Sequence, residues 1–261
     1  MTKISERKII AGLALGSGGA KGAALIGAIK AFEEDEISFD VAAGTSIGSV
    51  IGALYAQGYS SDDMMNLTAE FGLDDPTSLL FAAAGMRSLK DALGRIFGGA
   101  TFDDLRKPFC AVATDLDTGE ETDIVSGDIA SALAGSSAIQ PVFKAVVRNG
   151  IRLVDGAFVN SVPADVVKNL GADYVVSINL SRGISDNSHI KRFLDGMYPE
   201  NGVPVMIRNR ACYEYSDVVI EPELGEYPAS SINKFYEIYA AGYAAAKEKT
   251  GEIKKALREA R

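Results

Sequence analysis

A serine framed by two glycines is the first feature of this sequence that could do chemistry. The segment Gly44-Thr45-Ser46-Ile47-Gly48 has the pattern G-x-S-x-G and falls between a predicted strand and a predicted helix. In that context a sharp turn presents the serine hydroxyl as a nucleophile, and the N-terminus of the helix stabilises negative charge nearby. Glycine suits positions 44 and 48 because a bulkier residue would collide with adjacent backbone. The alternative is a tight turn in which Ser46 is an ordinary helix N-cap.

A second glycine-rich segment also lies between a predicted strand and a predicted helix: Gly16-Ser17-Gly18-Gly19-Ala20-Lys21-Gly22. It fits the dinucleotide-binding pattern G-x-G-x-x-G in neither register. It does not fit a P-loop either, because Lys21 is followed by Gly22 rather than by Ser or Thr. The remaining use of such a loop is to point backbone N–H groups at a developing oxyanion. Since consecutive parallel strands bring their loops to one sheet edge, we expect this loop beside Ser46.

Two side chains are candidates for the base that would activate Ser46. His189 is the only histidine, and it lies in the polar segment Ser181–Lys191, which is typical of a solvated surface loop. Asp155 follows an apolar strand and is therefore predicted to reach the same sheet edge as the two glycine-containing turns. A carboxylate can accept a hydroxyl proton when it lies within about 3 Å and burial raises its pKa. We favour Asp155 over His189, with a plain Asp-Gly turn as the alternative.

The composition narrows the classes of function. The chain has 261 residues with 26 Lys and Arg and 35 Asp and Glu, so its net charge is −9. This acidic balance argues against a nucleic-acid partner and against strong adsorption to an anionic membrane. One histidine and two widely separated cysteines, Cys110 and Cys212, provide no cluster of zinc ligands, so we expect no metal site. The cysteines are expected to be reduced thiols.

The elements that must position these residues alternate between apolar runs and amphipathic stretches, which predicts an α/β fold with a mostly parallel central sheet covered by helices on both faces. The predicted strands are Ile9–Leu15, Phe39–Ala43, Phe109–Thr114, Glu121–Val125, Ile151–Val154, Tyr174–Leu180 and Val218–Ile220. Helices are predicted from the glycine-rich loop to Glu34 and over Ile47–Gln57, Ile129–Leu133, Ala164–Leu170 and Ser230–Arg261, and Ser60–Phe97 is predicted to be mainly helical.

Taken together, the motifs resemble the patatin-like phospholipases, which combine a glycine-rich oxyanion loop, a G-x-S-x-G elbow and a D-G-G/A motif. The resemblance extends to Thr101-Phe102-Asp103-Asp104-Leu105, to 113–119 and to Ser136-Ser137-Ala138-Ile139. It is clear over residues 8–181 and weaker beyond, and we expect residues 1–261 to form a single domain with the family's three-layer architecture.

The resemblance assigns a role to each motif. It implies that Ser46 is the nucleophile of a Ser–Asp dyad, that Asp155 is its general base, and that the N–H groups of Gly18 and Gly19 form the oxyanion hole. The supporting positions are Gly16, Ser17, Lys21 and Gly22 in the loop and Gly44 and Gly48 at the elbow. The implied reaction is acyl transfer from a carboxylic ester, a phospholipid or lysophospholipid, to Ser46, followed by hydrolysis with no cofactor.

Three positions depart from the family pattern. Lys21 stands where the family usually has Arg, which keeps the charge but loses bidentate hydrogen bonding. Ser17 replaces a usual glycine and could supply a hydroxyl donor. Gln140 precedes Pro141 where proline usually follows the isoleucine directly.

Other classes of function stay open at this stage: a non-lipid carboxylesterase, an acyl-carrier transacylase using His189, and a non-catalytic phosphate- or nucleotide-binding module. The substrate partner is expected to be a lipid or small ester.

The apolar side chains of the predicted helical region suggest either an acyl-chain groove or ordinary core, and we favour core slightly. They are Leu73, Leu79, Leu80, Phe81, Met86, Leu89, Leu93, Ile96 and Phe97. The C-terminal helix is either an interfacial anchor making transient membrane contact or a helix docked on the sheet, and we favour docking.

The basic N-terminus is followed by an apolar run of only about seven residues that a glycine-rich turn interrupts, which favours a buried strand over a signal peptide. No stretch approaches the roughly 20 apolar residues of a membrane span. We therefore expect a cytoplasmic protein.

Overall fold

A mixed eight-stranded sheet is the centre of the structure, a computed structural model that describes residues 9–70, 80–140, 143–181, 209–225, 227 and 231–259. The strands are β1 (Ala11–Leu15), β2 (Val41–Thr45), β3 (Phe109–Asp115), β4 (Glu121–Ile124), β5 (Val146–Arg148), β6 (Ile151–Asp155), β7 (Tyr174–Ile178) and β8 (Val218–Ile220). Hydrogen bonding links them in the order β5-β6-β3-β2-β1-β7-β8, and β4 also pairs with β3. The pairs among β3, β2, β1, β7 and β8 are parallel, whereas β4, β5 and β6 pair antiparallel.

Helices cover both faces of this sheet. They are α1 (Ala23–Glu34), α2 (Ile47–Gln57), α3 (Ser61–Glu70), α4 (Leu80–Phe97), α5 (Ile129–Ser136), α6 (Ala164–Asn169), α7 (Asn209–Tyr215) and α8 (Phe235–Glu259). Successive strand residues point to opposite faces. In β1, Leu13 and Leu15 join the core under α1, α2, α5 and α8, whereas Ala14 joins the core under α6. The predicted three-layer α/β architecture is confirmed.

Several element boundaries differ from the sequence prediction for identifiable reasons. Strand β2 begins at Val41 rather than Phe39, because the backbone of Phe39 bonds to side chains instead of a neighbouring strand: its N–H donates to Tyr55 Oη (2.8 Å) and its carbonyl accepts from Lys107 Nζ (2.6 Å). The three-residue strand β5 and the helix α7 were not predicted. By contrast, α2 and β8 have the predicted bounds.

The direction of β6 corrects one step in the sequence argument. Asp155 was expected at the sheet edge with the other two loops because it follows a strand taken as parallel, but β6 runs antiparallel to β3, with Asp155 opposite Ala113. Because β4 occupies one side of β3 over Ala111–Thr114, β2 and β6 must share its other side. There Thr45 pairs with Val112, the residue before Ala113. Asp155, at the end of β6, therefore lies directly beyond the end of β2, and the two strands run toward each other.

Helix α8 is docked on the fold, as favoured from the sequence, but its close backbone contact is with α1 rather than with the sheet. A Cβ added to Gly27 of α1 would lie 2.1 Å from the carbonyl oxygen of Tyr239, and one added to Gly242 of α8 would lie 2.0 Å from that of Ala24. Ile238, the residue before Tyr239 in α8, is fully buried. Among the helices of the described residues, none has both the length and the apolarity that crossing a bilayer requires.

We predict opposite effects for two glycine substitutions in α8. Gly242→Ala places a methyl group against the backbone of α1 and should destabilise the fold by about 1–3 kcal/mol, the usual range for overpacking. Gly251→Ala, where a Cβ meets nothing within 4 Å, should stabilise it by about 0.5–1 kcal/mol through helix propensity. Urea unfolding of both variants measures this. Equal effects of the two substitutions would show that α8 does not pack on α1 in this way.

Candidate active site

Ser46 occupies a strained corner between β2 and α2. Its backbone has φ 56° and ψ −124°, a conformation that costs a non-glycine residue on the order of 1–3 kcal/mol. Hydrogen bonds hold the corner on both sides. The N–H of Ser46 donates to Ser136 Oγ (3.0 Å), and the carbonyl of Ser46 accepts from Ser49 Oγ (2.6 Å). The corner leaves the Ser46 side chain half-buried, so a substrate can reach it.

The two glycines of the motif allow backbone segments to approach closely around this corner. A Cβ on Gly44 would lie 2.1 Å from the carbonyl oxygen of Gly48, and a Cβ on Gly48 would lie 2.1 Å from that of Leu15. The second contact brings the start of α2 against the end of β1, where the glycine-rich loop begins. Glycine at both positions is therefore a steric requirement, as the sequence predicted.

Asp155 lies within hydrogen-bond distance of this serine. Ser46 Oγ donates to Asp155 Oδ2 at 2.7 Å, and the N–H of Ala157 donates to Oδ1 at 2.9 Å. The aspartate is 2% exposed. Burial, which disfavours the charged form, raises the pKa of Asp155 from 3.8 to about 6, although both hydrogen bonds act to lower it. The structure thus brings together the two side chains that the sequence nominated, one as nucleophile and one as base.

Hydrogen bonds from two strands fix the segment that carries Asp155. The hydroxyl of Thr114 donates to the carbonyl of Asp155 (2.9 Å), and the hydroxyl of Thr45 donates to the carbonyl of Asn160 (2.8 Å). Both threonines are buried. Because Thr45 immediately precedes Ser46, the strand that ends at the serine also anchors the segment that begins at the aspartate.

The glycine-rich loop is attached to the same segment. The N–H of Ser17 donates to the carbonyl of Ser161 (2.9 Å), and the hydroxyls of Ser17 and Ser161 lie 2.6 Å apart. The Ser17 hydroxyl, expected as an extra donor for the site, is thus bonded to Ser161. Within the described ranges, the N–H groups of Gly18 and Gly19 donate to no other residue. Gly18 is half-buried and Gly19 is exposed, so these N–H groups are available to a ligand.

Lys21 follows in a short 3-10 turn, Gly19–Gly22, that closes the loop. Its N–H donates to the carbonyl of Gly18 (3.2 Å), so the backbone of Lys21 braces the loop. The Lys21 side chain is half-buried beside Leu180 and Leu224, and burial lowers the pKa of its ammonium group. It therefore adds a partly desolvated positive charge next to the loop.

Of the nine apolar residues suggested for an acyl groove, Ile96 lines a cavity beside the site, whereas Leu93 and Phe97 are buried in the core. Leu89 packs at the edge of that core. Leu73 and Leu79 lie outside the described residues, as do the side chains of Leu80, Phe81 and Met86. His189 and Pro141 are also outside them, and the Gln140 side chain donates to the carbonyl of Phe143 (2.6 Å).

Sequence reasoning assigned no role to Ser136 and Ser161. Ser136, which is fully buried, accepts from Ser46 N–H and donates to the carbonyl of Val112 (2.6 Å), so it ties the corner to β3. It stands in the Ser-Ser-Ala-Ile segment that carried part of the family resemblance, and this was the available signal. No comparable signal marked Ser161, because its contact with Ser17 joins positions 144 residues apart.

The fold and the site define an α/β protein in which a serine on a strand-to-helix corner bonds to a buried aspartate. The family model for patatin-like phospholipases matches residues 13–168, so the chain belongs to that family. It is 34% identical over 65% of its length to a patatin-like phospholipase domain-containing protein of Caenorhabditis elegans. It is 28% identical over 88% of its length to patatin-like phospholipase domain-containing protein 6 of the mouse. The matches span 13% and 20% of those relatives, respectively.

Solved structures share the fold at low sequence identity. VipD from Legionella pneumophila superposes with a TM-score of 0.58 at 13% identity, covering 94% of this chain and 67% of that one. Human GIVD cytosolic phospholipase A2 gives a TM-score of 0.52 at 12% identity, covering 97% of this chain and 60% of that one. These likenesses extend the fold assignment over nearly the whole chain.

The raised pKa of Asp155 predicts that this carboxylate destabilises the protein at neutral pH. A pKa raised from 3.8 to about 6 contributes stability that is fully present below pH 3.8 and is lost as the pH rises through 6. Since one pKa unit corresponds to about 1.4 kcal/mol, the loss amounts to roughly 3 kcal/mol. The side chain in Asp155→Asn cannot ionise, so the variant does not lose this stability. Its free energy of unfolding relative to that of the wild type should therefore increase by roughly 3 kcal/mol between pH 3.5 and pH 7.5.

Denaturant unfolding across this pH range measures the effect. Asp117→Asn is the matched control, because the exposed Asp117 pairs with Arg152, which lowers the pKa of Asp117 and reverses the sign. A constant difference between Asp155→Asn and wild type at all pH values would mean that the Asp155 carboxyl titrates normally.

Proposed function

We propose that the protein is a lipid acyl hydrolase that cleaves carboxylic esters of phospholipids or lysophospholipids through an acyl-serine intermediate on Ser46. The observation that carries the proposal is the 2.7 Å hydrogen bond from Ser46 Oγ to the buried Asp155 carboxylate. The family assignment supports a lipid ester as the substrate.

In the acylation step, Ser46 Oγ attacks the carbonyl carbon of the ester while its proton passes to Asp155 Oδ2. The new Oγ–C bond gives a tetrahedral oxyanion, which the N–H groups of Gly18 and Gly19 receive. When this intermediate collapses, the bond from carbon to the alcohol oxygen breaks. The leaving alcohol takes the proton from Asp155, and the acyl group stays on Ser46.

Deacylation repeats these steps with water as the nucleophile. Asp155 accepts a proton from water as the water oxygen bonds to the acyl carbon, and the same N–H groups receive the oxyanion. The Ser46 Oγ–C bond then breaks, and Ser46 recovers its proton from Asp155. Both steps begin and end with the carboxylate ionised, so Asp155 is regenerated as the general base in each step.

The environment of Asp155 compensates for the weak basicity of a carboxylate. A pKa of about 6 brings the group close to neutral pH, where a general base combines sufficient ionisation with sufficient affinity for the proton. The Ala157 N–H on Oδ1 fixes the carboxylate so that Oδ2 faces the serine. The N-terminus of α2 favours the oxyanion electrostatically.

We predict that Ser46→Ala and Asp155→Asn each lower kcat/KM for p-nitrophenyl butyrate at least a thousandfold. The first substitution removes the nucleophile that gives up the proton, and the second removes the base that accepts it. Asp117→Asn should keep wild-type activity because Asp117 lies on the exposed turn between β3 and β4. A fluorophosphonate probe should label wild type at Ser46, as located by mass spectrometry, and should not label Ser46→Ala. Labelling at another serine, or an active Asp155→Asn, would refute the dyad.

The control for a histidine-dependent mechanism is His189→Ala, which should leave kcat/KM within about twofold of wild type. A loss of activity in this variant would favour the acyl-carrier transacylase alternative, in which an imidazole rather than Asp155 deprotonates Ser46.

The pH dependence should report the ionisation of Asp155. Because Asp155 accepts the proton only when ionised, kcat/KM should rise with pH, reach half of its limit near pH 6 and level off above pH 7. At pH 5 it should be about tenfold below the plateau. Initial rates on a soluble short-chain ester between pH 4.5 and pH 8.5 measure this profile. A midpoint above pH 7 would assign the base to a group other than Asp155.

A further inference from the structure

An apolar cavity of about 230 Å³ opens beside the Ser46 corner. It is enclosed mainly by α1, α2 and α3, with Ile96 of α4 and Phe235 of α8. Two of its lining residues connect it with the site: Ile47 directly follows Ser46, and Gly19 belongs to the glycine-rich loop. The cavity therefore borders both the Ser46 corner and the glycine-rich loop.

The lining is apolar apart from one hydroxyl, which is already bonded. The side chains of Ile26, Ile51, Leu54 and Met64 contribute aliphatic carbon and sulfur. The Thr68 hydroxyl donates within its own helix to the carbonyl of Met65 (2.7 Å), so it presents no free donor. A polar headgroup would lose its hydration here without replacement hydrogen bonds, whereas a hydrocarbon chain loses nothing.

We infer that this cavity receives the acyl chain of the ester and that its size makes medium-length chains, of about eight to ten carbons, the preferred substrates. This inference rests on the proposed function, because the chain is placed by its bond to Ser46. With the carbonyl carbon on Ser46 Oγ and the oxyanion at Gly18 and Gly19, the alkyl chain leaves next to Ile47 and Gly19, where the cavity begins.

The volume sets the chain length. An apolar cavity of about 150 Å³ holds a six-carbon ring, so 230 Å³ holds about nine carbons by proportion. Each methylene buried in such a site is worth about a fourfold gain in binding. The gain should stop once the cavity is full, because further methylenes project beyond it.

Helix α3 offers variants that resize the cavity without touching the Ser46–Asp155 pair. Thr68→Phe adds bulk on a half-buried, lining position, and Met64→Ala removes bulk from a buried one. Each has a neighbour on the same helix that does not line the cavity and serves as a matched control, Asn66→Phe and Met65→Ala.

The experiment measures kcat/KM for p-nitrophenyl esters with C2 to C16 acyl chains, presented in mixed detergent micelles. Wild type should gain at least tenfold from C2 to C8, peak between C8 and C10, and fall at C16. Thr68→Phe should lower kcat/KM for the C8 ester at least tenfold and leave kcat/KM for the C2 ester within about twofold of wild type. Met64→Ala should move the optimum two to four carbons longer. The two controls should keep the wild-type profile.

The outcomes separate this inference from the proposed function. Three results, each with Ser46-dependent hydrolysis of the C2 ester, would overturn the cavity assignment and leave the acyl-serine mechanism standing. They are a flat chain-length profile, a maximum at C16, and an equal loss of kcat/KM for the C2 and C8 esters in Thr68→Phe. Absence of Ser46-dependent hydrolysis of any ester would overturn both. If Thr68→Phe fails to fold, Met64→Ala decides, because an unchanged optimum in a folded Met64→Ala would also overturn the assignment.

Discussion

The hydrogen bond between Ser46 and Asp155 exists because the fold keeps a carboxylate out of water. Asp155 is 2% exposed, and its carboxylate accepts hydrogen bonds from Ser46 Oγ and the Ala157 N–H. An ionised carboxylate loses strong hydration on burial, and two donors replace that hydration only in part. The same burial that opposes the charge raises its affinity for a proton. The basicity that the proposed chemistry needs is thus a consequence of where the sheet places this side chain.

Burying Asp155 beside Ser46 costs free energy, which the rest of the structure offsets. The Ser46 corner is strained, and the charge on Asp155 is unfavourable at neutral pH. Both are held by groups that sit on rigid elements: Ser136 at the end of α5, Thr114 on β3 and Thr45 on β2. The sheet beneath them is packed with apolar side chains on both faces, so the corner cannot relax without disrupting two cores.

The proposed reacting groups and the apolar cavity lie on different elements of the fold. The turns after β1 and β2 and the end of β6 carry the groups proposed for proton transfer and charge stabilisation, whereas α1 and α3 supply much of the wall of the cavity. The two meet at Gly19 and Ile47. In such an arrangement, substitutions on α3 can reshape the cavity while the electrostatic surroundings of Asp155 stay unchanged.

Local sequence was sufficient for the corner and for most of the elements around it. The G-x-S-x-G segment predicts its own turn, because the steric demands at 44 and 48 act between residues close in the chain or in adjacent turns. The apolar runs of β1, β2, β3 and β7 predict strands buried on both faces, and the burial of each strand agrees. Asp155 was nominated from its position after a strand and from the family resemblance.

Only the tertiary structure decided how Asp155 reaches the serine. The direction of β6 depends on pairing with β3, some 40 residues earlier in the chain, and strand direction leaves no mark on an apolar run. The contacts Ser17–Ser161 and Ser46–Ser136 join distant positions through side chains that are common on any surface, so spacing could not reveal them. The sequence by itself determined the turns and nominated the residues proposed to react. The folded chain determined their distance, burial and proton affinity, because these depend on desolvation and on hydrogen bonds between segments that meet only after folding.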